Sequence, residues 1–199
     1  MSTKTSTLSF YLEELKKKDN YTYIHSIHVA RLTNIFCKLL NVSKKETEEI
    51  TISAILHDIG KINVPLHILQ GKTKLTDEEW LIMKQHPIYS IEYLKESNYS
   101  NVILENILCH HERISGNGYP RGLKETEIPY GAKIIAIADS LDAMLTNRSY
   151  RRKLSFEQVK EEIAKNIGTM YDKVIGEVIL DNWVLVENYY SCDFIQNQV

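Results

Sequence analysis

Histidine and aspartate side chains recur in this chain where a helix would normally present apolar ones. In "ISAILHDIGK" the pair His57 and Asp58 continues the helical face that Ile50 and Ala54 begin. Three other segments repeat this placement, and one further histidine precedes a proline, where a helix is expected to end. The complete set is His25, His57, Asp58, His86, His110, His111 and Asp139. Imidazole and carboxylate groups without thiolates suit divalent iron, manganese, zinc, cobalt or nickel.

The number of these side chains favours a metal site over a set of ordinary core histidines. A single histidine on an apolar face is usually held by one hydrogen bond. Buried ionised carboxylates differ, because their desolvation costs on the order of tens of kcal/mol at low dielectric, so Asp58 and Asp139 need cations close by. A lysine or arginine could serve one of them. Seven ligands exceed the needs of one tetrahedral ion, whereas two ions sharing a bridging carboxylate would use them all, which indicates a binuclear centre.

Helices are the elements that must position these groups. Helical periodicity dominates the chain, and alternating strand patterns are short and rare, which predicts an all-α bundle. Helix starts are predicted at Ser43, Thr76 and Ser155, each followed three residues later by Glu or Gln. A loop with Gly and Pro residues runs from about 112 to 131, and long ordered loops are often functional. We assign residues 1–20 to a short N-terminal helical extension and residues 21–199 to one domain.

Composition and charge exclude several classes of protein. The 199 residues carry a net charge of -2, which offers no basic face for long nucleic acid. Three cysteines without CxxC spacing favour neither a disulfide framework nor a cysteine zinc site. No apolar run approaches the roughly 18 residues of a membrane span, and the N-terminus lacks the apolar core of a secretory signal. We therefore expect a cytoplasmic protein without a membrane partner.

Several motifs in order resemble the HD-GYP family of phosphodiesterases. They are "YTYIHS", "LHDIGKI", "LTDEEW", "MKQHP", "HHERISGNGYPRGL", "IPYGAKIIAIADSLDAM" and "NRSYR". The combined match is specific, whereas the "HD" pair alone would carry almost no information. The resemblance implies an all-α HD-domain helical bundle with a GYP loop and a binuclear metal centre. It also implies hydrolysis of the bacterial second messenger cyclic di-GMP to the linear dinucleotide pGpG, or onward to GMP.

The resemblance also implies a role for each site residue. One metal would be held by His25, His57, Asp58 and Asp139, and the other by Asp58, His86, His110 and His111. Asp58 would bridge the two ions, which are iron or manganese first, with nickel, cobalt or zinc as alternatives. Asp58 and Lys61 are the expected catalytic residues. The expected substrate-binding residues are Lys61, Gly118, Tyr119, Arg148 and Arg151.

Two departures from the family pattern alter the expected chemistry. Some family members carry a glutamate four residues before the first histidine and use it for a third metal, whereas this chain has Tyr21. We therefore expect two metals and slow or absent conversion of pGpG to GMP. His28 replaces a usual arginine, and it could join a metal or serve in the outer shell. Asp142, one helical turn beyond Asp139, could orient a ligand histidine or the attacking water.

Alternatives to this function stay open on the sequence alone. The substrate could be another cyclic dinucleotide, such as cyclic GMP-AMP. The chain could instead be a low-turnover module that binds a cyclic dinucleotide, although all seven ligand positions hold coordinating residues. The GYP loop could contact substrate, dock diguanylate cyclase domains, or simply pack on the bundle. A homodimer is compatible with the sequence, but no heptad pattern identifies its surface.

Overall fold

The computed structural model describes residues 2–71, 73–147 and 152–191, and the side chains from residue 7 onward. The predicted all-α fold is confirmed, since β pairing in these ranges is limited to two isolated bridges. The helices are α1 (Ser2–Lys18), α2 (Asn20–Leu39), α3 (Lys44–Leu56), α4 (Leu66–Leu69), α5 (Asp77–Met83), α6 (His86–Leu94), α7 (Asn101–Leu108), α8 (Tyr130–Leu145), α9 (Phe156–Asn166), α10 (Lys173–Asp181) and α11 (Trp183–Ser191). Two 3-10 helices lie at Ile59–Asn63 and Glu125–Glu127. None of the described helices is long and apolar enough to cross a bilayer.

The three predicted helix starts are confirmed. Ser43, Thr76 and Ser155 are the N-caps of α3, α5 and α9, and each side chain accepts a hydrogen bond from the backbone three residues later. Such caps satisfy backbone donors that have no partner inside the helix, and each contributes roughly 1 kcal/mol. In α5 and α9 the reciprocal bond from Glu79 or Gln158 completes a capping box.

The main core lies between α2 and α8, with α3, α9 and the C-terminal helices packed around them. Its fully buried members include Val29, Leu32 and Phe36 of α2, and Ile134 and Leu141 of α8. These two long helices also carry His25 and Asp139, the outermost pair of the predicted ligand set in the sequence. Packing α2 against α8 therefore brings together ligands that are 114 residues apart.

A second apolar cluster joins α1 to the segment that follows α3. Leu15 of α1 is fully buried beside Leu56, Ile59 and Leu94. Burial of such a side chain contributes about 2 kcal/mol, so α1 helps to hold the turn that carries His57 and Asp58. The boundary assigned at residues 20 and 21 stays a prediction.

Candidate metal centre

Three of the predicted ligand histidines make the same local hydrogen bond, from ring Nδ1 to the backbone carbonyl three residues earlier. The Nδ1 atom of His57 donates to the Ala54 carbonyl at 2.7 Å, that of His86 to Met83 at 2.8 Å, and that of His110 to Ile107 at 2.6 Å. A carbonyl oxygen only accepts, so each Nδ1 carries the proton. Each neutral ring is therefore left with a lone pair on Nε2, which is the atom that binds metals.

Three of the predicted ligand histidines lie outside the helices in which the sequence pattern placed them. We predicted His57, His110 and His111 on continuing helical faces, but α3 ends at Leu56 and α7 ends at Leu108. In a longer helix, the carbonyls of Ala54 and Ile107 would accept from the backbone four residues on. The rings of His57 and His110 take these carbonyls instead, so the three predicted ligands lie in turns at the helix ends.

His86 also lies differently from its predicted place at the end of a helix. It is the first residue of α6, and Pro87 occupies the first turn. Proline is favoured there because it has no backbone N–H to leave unpaired. For the same reason Pro87 cannot donate to the Met83 carbonyl, which is free to accept from the His86 ring.

Asp58 lies at the centre of the cluster. Its Oδ1 is 3.2 Å from His86 Nε2, and its Oδ2 is 3.3 Å from His57 Nε2 and 3.7 Å from His25 Nε2. Lys61 Nζ donates to the same Oδ2 at 2.6 Å. Both carboxylate oxygens thus face imidazole nitrogens, one on each side, which is the arrangement that a bridging carboxylate requires.

Two carboxylates of α8, Asp139 and Asp142, contact the histidine side chains of α2. His25 Nε2 lies 3.0 Å from Asp139 Oδ1, and His25 Nδ1 donates to Asp142 at 2.6 Å. Asp142 also accepts from His28 Nδ1 at 3.0 Å and from the Tyr190 hydroxyl of α11 at 2.8 Å. Asp142 therefore fixes the ring of His25, a predicted ligand, and the His28 ring contacts Asp142.

The polar atoms facing the centre fit divalent cations. His86 Nε2 and His110 Nε2 are 3.2 Å apart, and since each Nδ1 is already a donor, two lone pairs at this distance suit a shared cation. Among the described residues, the buried atoms His57 Nε2 and Asp58 Oδ1 have no hydrogen-bond partner. Two groups, His25–His57–Asp58 and His86–His110–His111, each bring their ligand atoms within 4.8 Å of one another. Imidazole and carboxylate donors in this number suit one or two first-row divalent ions.

Burial and the neighbouring charges set the pKa values of these groups. Burial lowers the pKa of His86 to about 4, against the attraction of the Asp58 carboxylate, and the positive charge of Lys61 acts in the same direction as burial. Burial also disfavours a charged His25, but hydrogen bonds to Asp139 and Asp142 outweigh it and raise the pKa of His25 to about 10. Burial opposes ionisation of Asp58, yet the neighbouring His57 imidazole and Lys61 ammonium keep its pKa well below the usual range. The centre thus combines ionised carboxylates with mainly neutral imidazoles.

Gly60 and Ser90 fix the distance between the two halves of the centre. The Gly60 N–H donates to Ser90 Oγ at 2.9 Å, and that hydroxyl lies within hydrogen-bond distance of the carbonyls of His57 and His86. A Cβ on Gly60 would overlap the His86 carbonyl oxygen and the Ser90 backbone nitrogen. The close approach of α6 to this glycine therefore places His86 beside Asp58.

The loop that contains Gly118, Tyr119 and Pro120, the GYP loop, is held by backbone contacts against the turn that carries His110 and His111. Tyr119 N donates to the His111 carbonyl at 3.2 Å, and a Cβ on Gly118 would lie 2.6 Å from that same oxygen. Glu112 is buried, and its carboxylate accepts from the backbone of Arg121 at 2.7 Å and of Leu123 at 2.9 Å. The Tyr119 ring consequently lies 4.7 Å from the His111 ring, centroid to centroid.

Glu112→Ala is expected to release this loop. Removing the carboxylate deletes two charge-assisted hydrogen bonds, and we expect about 3 kcal/mol less stability together with much faster trypsin cleavage after Arg121 and Lys124. Limited proteolysis with mass spectrometry measures the cleavage rate. Glu125→Ala, an exposed carboxylate in the same loop, is the control. Equal cleavage rates in the two variants would contradict this role of Glu112.

Two predicted substrate residues, Arg148 and Arg151, lie outside the described residues. The others, Lys61, Gly118 and Tyr119, lie within or beside the cluster, as the distances above record. Sequence reasoning missed Ser90, Glu112 and Tyr190. The position of Glu112 directly after His110 and His111 could have indicated its importance. Nothing in the sequence around Ser90 or Tyr190 indicated theirs.

Comparison with known proteins identifies the architecture around this centre. A sequence model described as HD domain matches residues 7–175. The chain belongs to the HD domain family. The resemblance drawn from the motifs is confirmed at this level, since HD domains form a superfamily of phosphohydrolases.

Curated HD-domain relatives carry names of cyclic dinucleotide phosphodiesterases. A cyclic di-GMP phosphodiesterase of Thermotoga maritima is 41% identical over 165 residues, which are 82% of this chain and 45% of that protein. The 3'3'-cGAMP-specific phosphodiesterase 2 of Vibrio cholerae is 35% identical over 162 residues, 78% of this chain and 31% of that protein. The chain thus spans less than half the length of these relatives.

A solved HD domain confirms the fold. The HD domain of the L. monocytogenes phosphodiesterase PgpH, in complex with cyclic-di-AMP, superposes with a TM-score of 0.68 at 19% sequence identity. The match covers 94% of this chain and 99% of that one. At this identity the similarity concerns the helical HD-domain architecture.

Proposed function

We propose that this HD domain is a metal-dependent phosphodiesterase that hydrolyses cyclic di-GMP, mainly to pGpG. The observation that carries the proposal is the buried cluster of five imidazoles and two carboxylates with Asp58 at its centre. The names of the curated relatives support cyclic dinucleotides as the substrate class. Divalent ions bound there would supply Lewis-acid chemistry, polarising the phosphate and lowering the pKa of a water molecule.

The proposed ligand sets follow from the two groups around Asp58. His25, His57, Asp58 and Asp139 would hold one ion, and Asp58, His86, His110 and His111 the other. Imidazole nitrogens lie beside both carboxylate oxygens of Asp58, and this arrangement supports the proposal of two ions. Oxygen and nitrogen donors favour iron or manganese, with nickel, cobalt or zinc as alternatives.

Lys61 is proposed to bind the scissile phosphate. Its ammonium group is half-buried and lies 2.6 Å from Asp58 Oδ2, so it borders the centre on the side of the shared carboxylate. In phosphoryl transfer a protein contributes mainly by positioning and by neutralising charge on the phosphoryl oxygens. A lysine at this position can do both, since its long side chain reaches from the carboxylate to a neighbouring phosphate.

The remaining substrate contacts are proposed on both sides of the centre. Tyr119, held by Gly118 over His111, would contact one base, while Arg148 and Arg151 would contact phosphates. On the other side of His25, a cavity of about 670 Å³ is lined by Tyr21, among others. Its volume lies in the range of small-molecule binding sites.

Product analysis tests the proposed function. Protein loaded anaerobically with Mn²⁺ or Fe²⁺ is expected to convert cyclic di-GMP to pGpG, with GMP appearing at least about tenfold more slowly. The reason is that Tyr21, whose ring stacks on His25 at 6.2 Å, offers a phenol where a third ion would need a carboxylate. Chromatography of timed samples measures both products.

Tyr21→Glu is the informative variant in this experiment, because it restores a carboxylate and should accelerate the release of GMP. Prompt GMP from the wild type would contradict the two-metal proposal. Intact cyclic di-GMP despite bound metal would overturn hydrolysis of this substrate. If the intact nucleotide is nevertheless bound, a binding module replaces the enzyme.

A second candidate substrate is 3'3'-cyclic GMP-AMP. The Vibrio cholerae relative is named for that nucleotide and matches 78% of this chain. Parallel assays of both dinucleotides give the ratio of kcat/KM values, which is the measure of specificity.

We further propose docking of diguanylate cyclase domains on the outer part of the GYP loop, where Arg121, Lys124 and Glu125 are exposed. Homodimerisation also stays a proposal.

A further inference from the structure

Helix α5 lies on the surface although it is rich in large apolar residues. Its Trp80, Leu81 and Ile82 are 44%, 60% and 37% exposed, and the helix has no buried residue. A capping box at Thr76 and Glu79 gives α5 its own local stability. The helix is therefore well formed without contributing to the core, so its apolar side chains need another explanation.

Trp80 connects α5 to the candidate metal centre through one intermediate ring. Its indole meets the Tyr119 ring edge-on, at 6.4 Å between centroids and 78° between planes. Tyr119 in turn lies 4.7 Å from the His111 ring and 6.4 Å from the His86 ring. The exposed Trp80 surface thus begins one side chain away from two proposed metal ligands.

Lys84 adds a cation to the same place. Its ammonium lies 5.6 Å from the Trp80 centroid and 5.9 Å from the Tyr119 centroid, within the range of cation–π attraction. The side chain is half-buried, and no carboxylate among the described residues lies within salt-bridge distance of it. A cation held over two rings without a neutralising acid can still receive an anion.

We propose that Trp80 and Lys84 form an outer subsite for the cyclic dinucleotide, in which Trp80 stacks on one purine base and Lys84 binds the adjoining phosphate. The inference rests on the proposed function, because that function supplies the occupant. A flat aromatic surface and an unpaired cation, both beside the phosphate-cleaving centre, match the two parts of a nucleotide. A protein partner would rather use Leu81, which is more exposed than Trp80.

Tryptophan fluorescence tests the stacking without relying on turnover. The chain has two tryptophans, of which Trp183 is 4% exposed and Trp80 is accessible. Cyclic di-GMP, mixed rapidly and read within the first seconds, is expected to quench the emission of the wild type. The signal of Trp80→Phe, which reports Trp183 alone, should stay unchanged.

Steady-state kinetics test the contribution to binding. Trp80→Ala is expected to raise the KM for cyclic di-GMP about tenfold while kcat stays within about twofold. Trp80→Phe keeps an aromatic face and should restore KM to within about threefold. Leu81→Ala, on the same helix, is the matched control and should leave KM unchanged.

Lys84→Gln is expected to raise KM about fivefold and to weaken its dependence on salt, since a phosphate contact is screened by ions. Lys95→Gln is the charge-matched control, because Lys95 follows the last residue of α6, about 14 Å from its start at His86. Loss of binding in the Leu81 variant alone would overturn the subsite and indicate a protein-docking surface.

The outcomes separate this inference from the proposed function. Quenching of Trp80 by a nucleotide that then remains uncleaved supports the subsite and overturns the proposed hydrolysis. Hydrolysis without quenching, and with wild-type KM in the Trp80 and Lys84 variants, overturns the subsite and leaves the proposed function intact. A wild type that neither binds nor cleaves cyclic di-GMP or cyclic GMP-AMP overturns both.

Discussion

Asp58→Asn is expected to lower kcat for cyclic di-GMP at least about a thousandfold and to reduce bound metal from two ions per chain to at most one. The amide keeps the volume of the side chain but removes the negative charge. It also replaces one oxygen, facing either His86 or His57, with a hydrogen-bond donor. A loss of about 4 kcal/mol of transition-state stabilisation corresponds to this factor.

Metal analysis by mass spectrometry and chromatographic turnover assays measure the two effects of Asp58→Asn. Asp181→Asn, which changes an exposed carboxylate at the end of α10, serves as the control for altered charge. Wild-type metal content in the Asp58 variant would contradict its bridging role. Full metal loss with wild-type activity would contradict metal dependence itself.

Gly60→Ala is expected to destabilise the fold by about 3 kcal/mol and to lower Tm by about 8 °C. The added methyl group would overlap backbone atoms of His86 and Ser90, which cannot rotate away as a side chain can. Helix α6 must therefore move outward, and His86 moves with it. We also expect turnover to fall about a hundredfold, because His86 leaves Asp58.

Gly168→Ala is the matched control for this substitution. Gly168 has a φ of +78° but no heavy atom within 4 Å of an added Cβ, so only backbone strain of about 1 kcal/mol is expected. Differential scanning calorimetry compares the two variants. A Tm for Gly60→Ala at or above that of Gly168→Ala would show that α6 does not depend on this close approach.

The predicted helix starts and the inward placement of the ligands illustrate what local pattern can provide. Ser43, Thr76 and Ser155 cap their helices because the capping contacts span only three residues. The apolar periodicity correctly placed His25 and Asp139 on buried faces. It failed at His57 and His110, where a side-chain nitrogen competes with the backbone for a carbonyl at the end of the helix, and at His111, which follows in the same turn. Periodicity describes a helix, but it does not describe this competition.

The types of the predicted ligand residues, the all-α fold and the family resemblance were therefore determined by the sequence alone. Only the tertiary structure decided that Asp142 is shared by His25, His28 and Tyr190, that Ser90 joins Gly60 to α6, and that Trp80 meets Tyr119. The contact between His25 and Asp142 spans 117 residues. Such contacts depend on how closely two helices pack, and this packing depends on many side chains that are far apart in the sequence. The spacing of residues within one segment does not determine it.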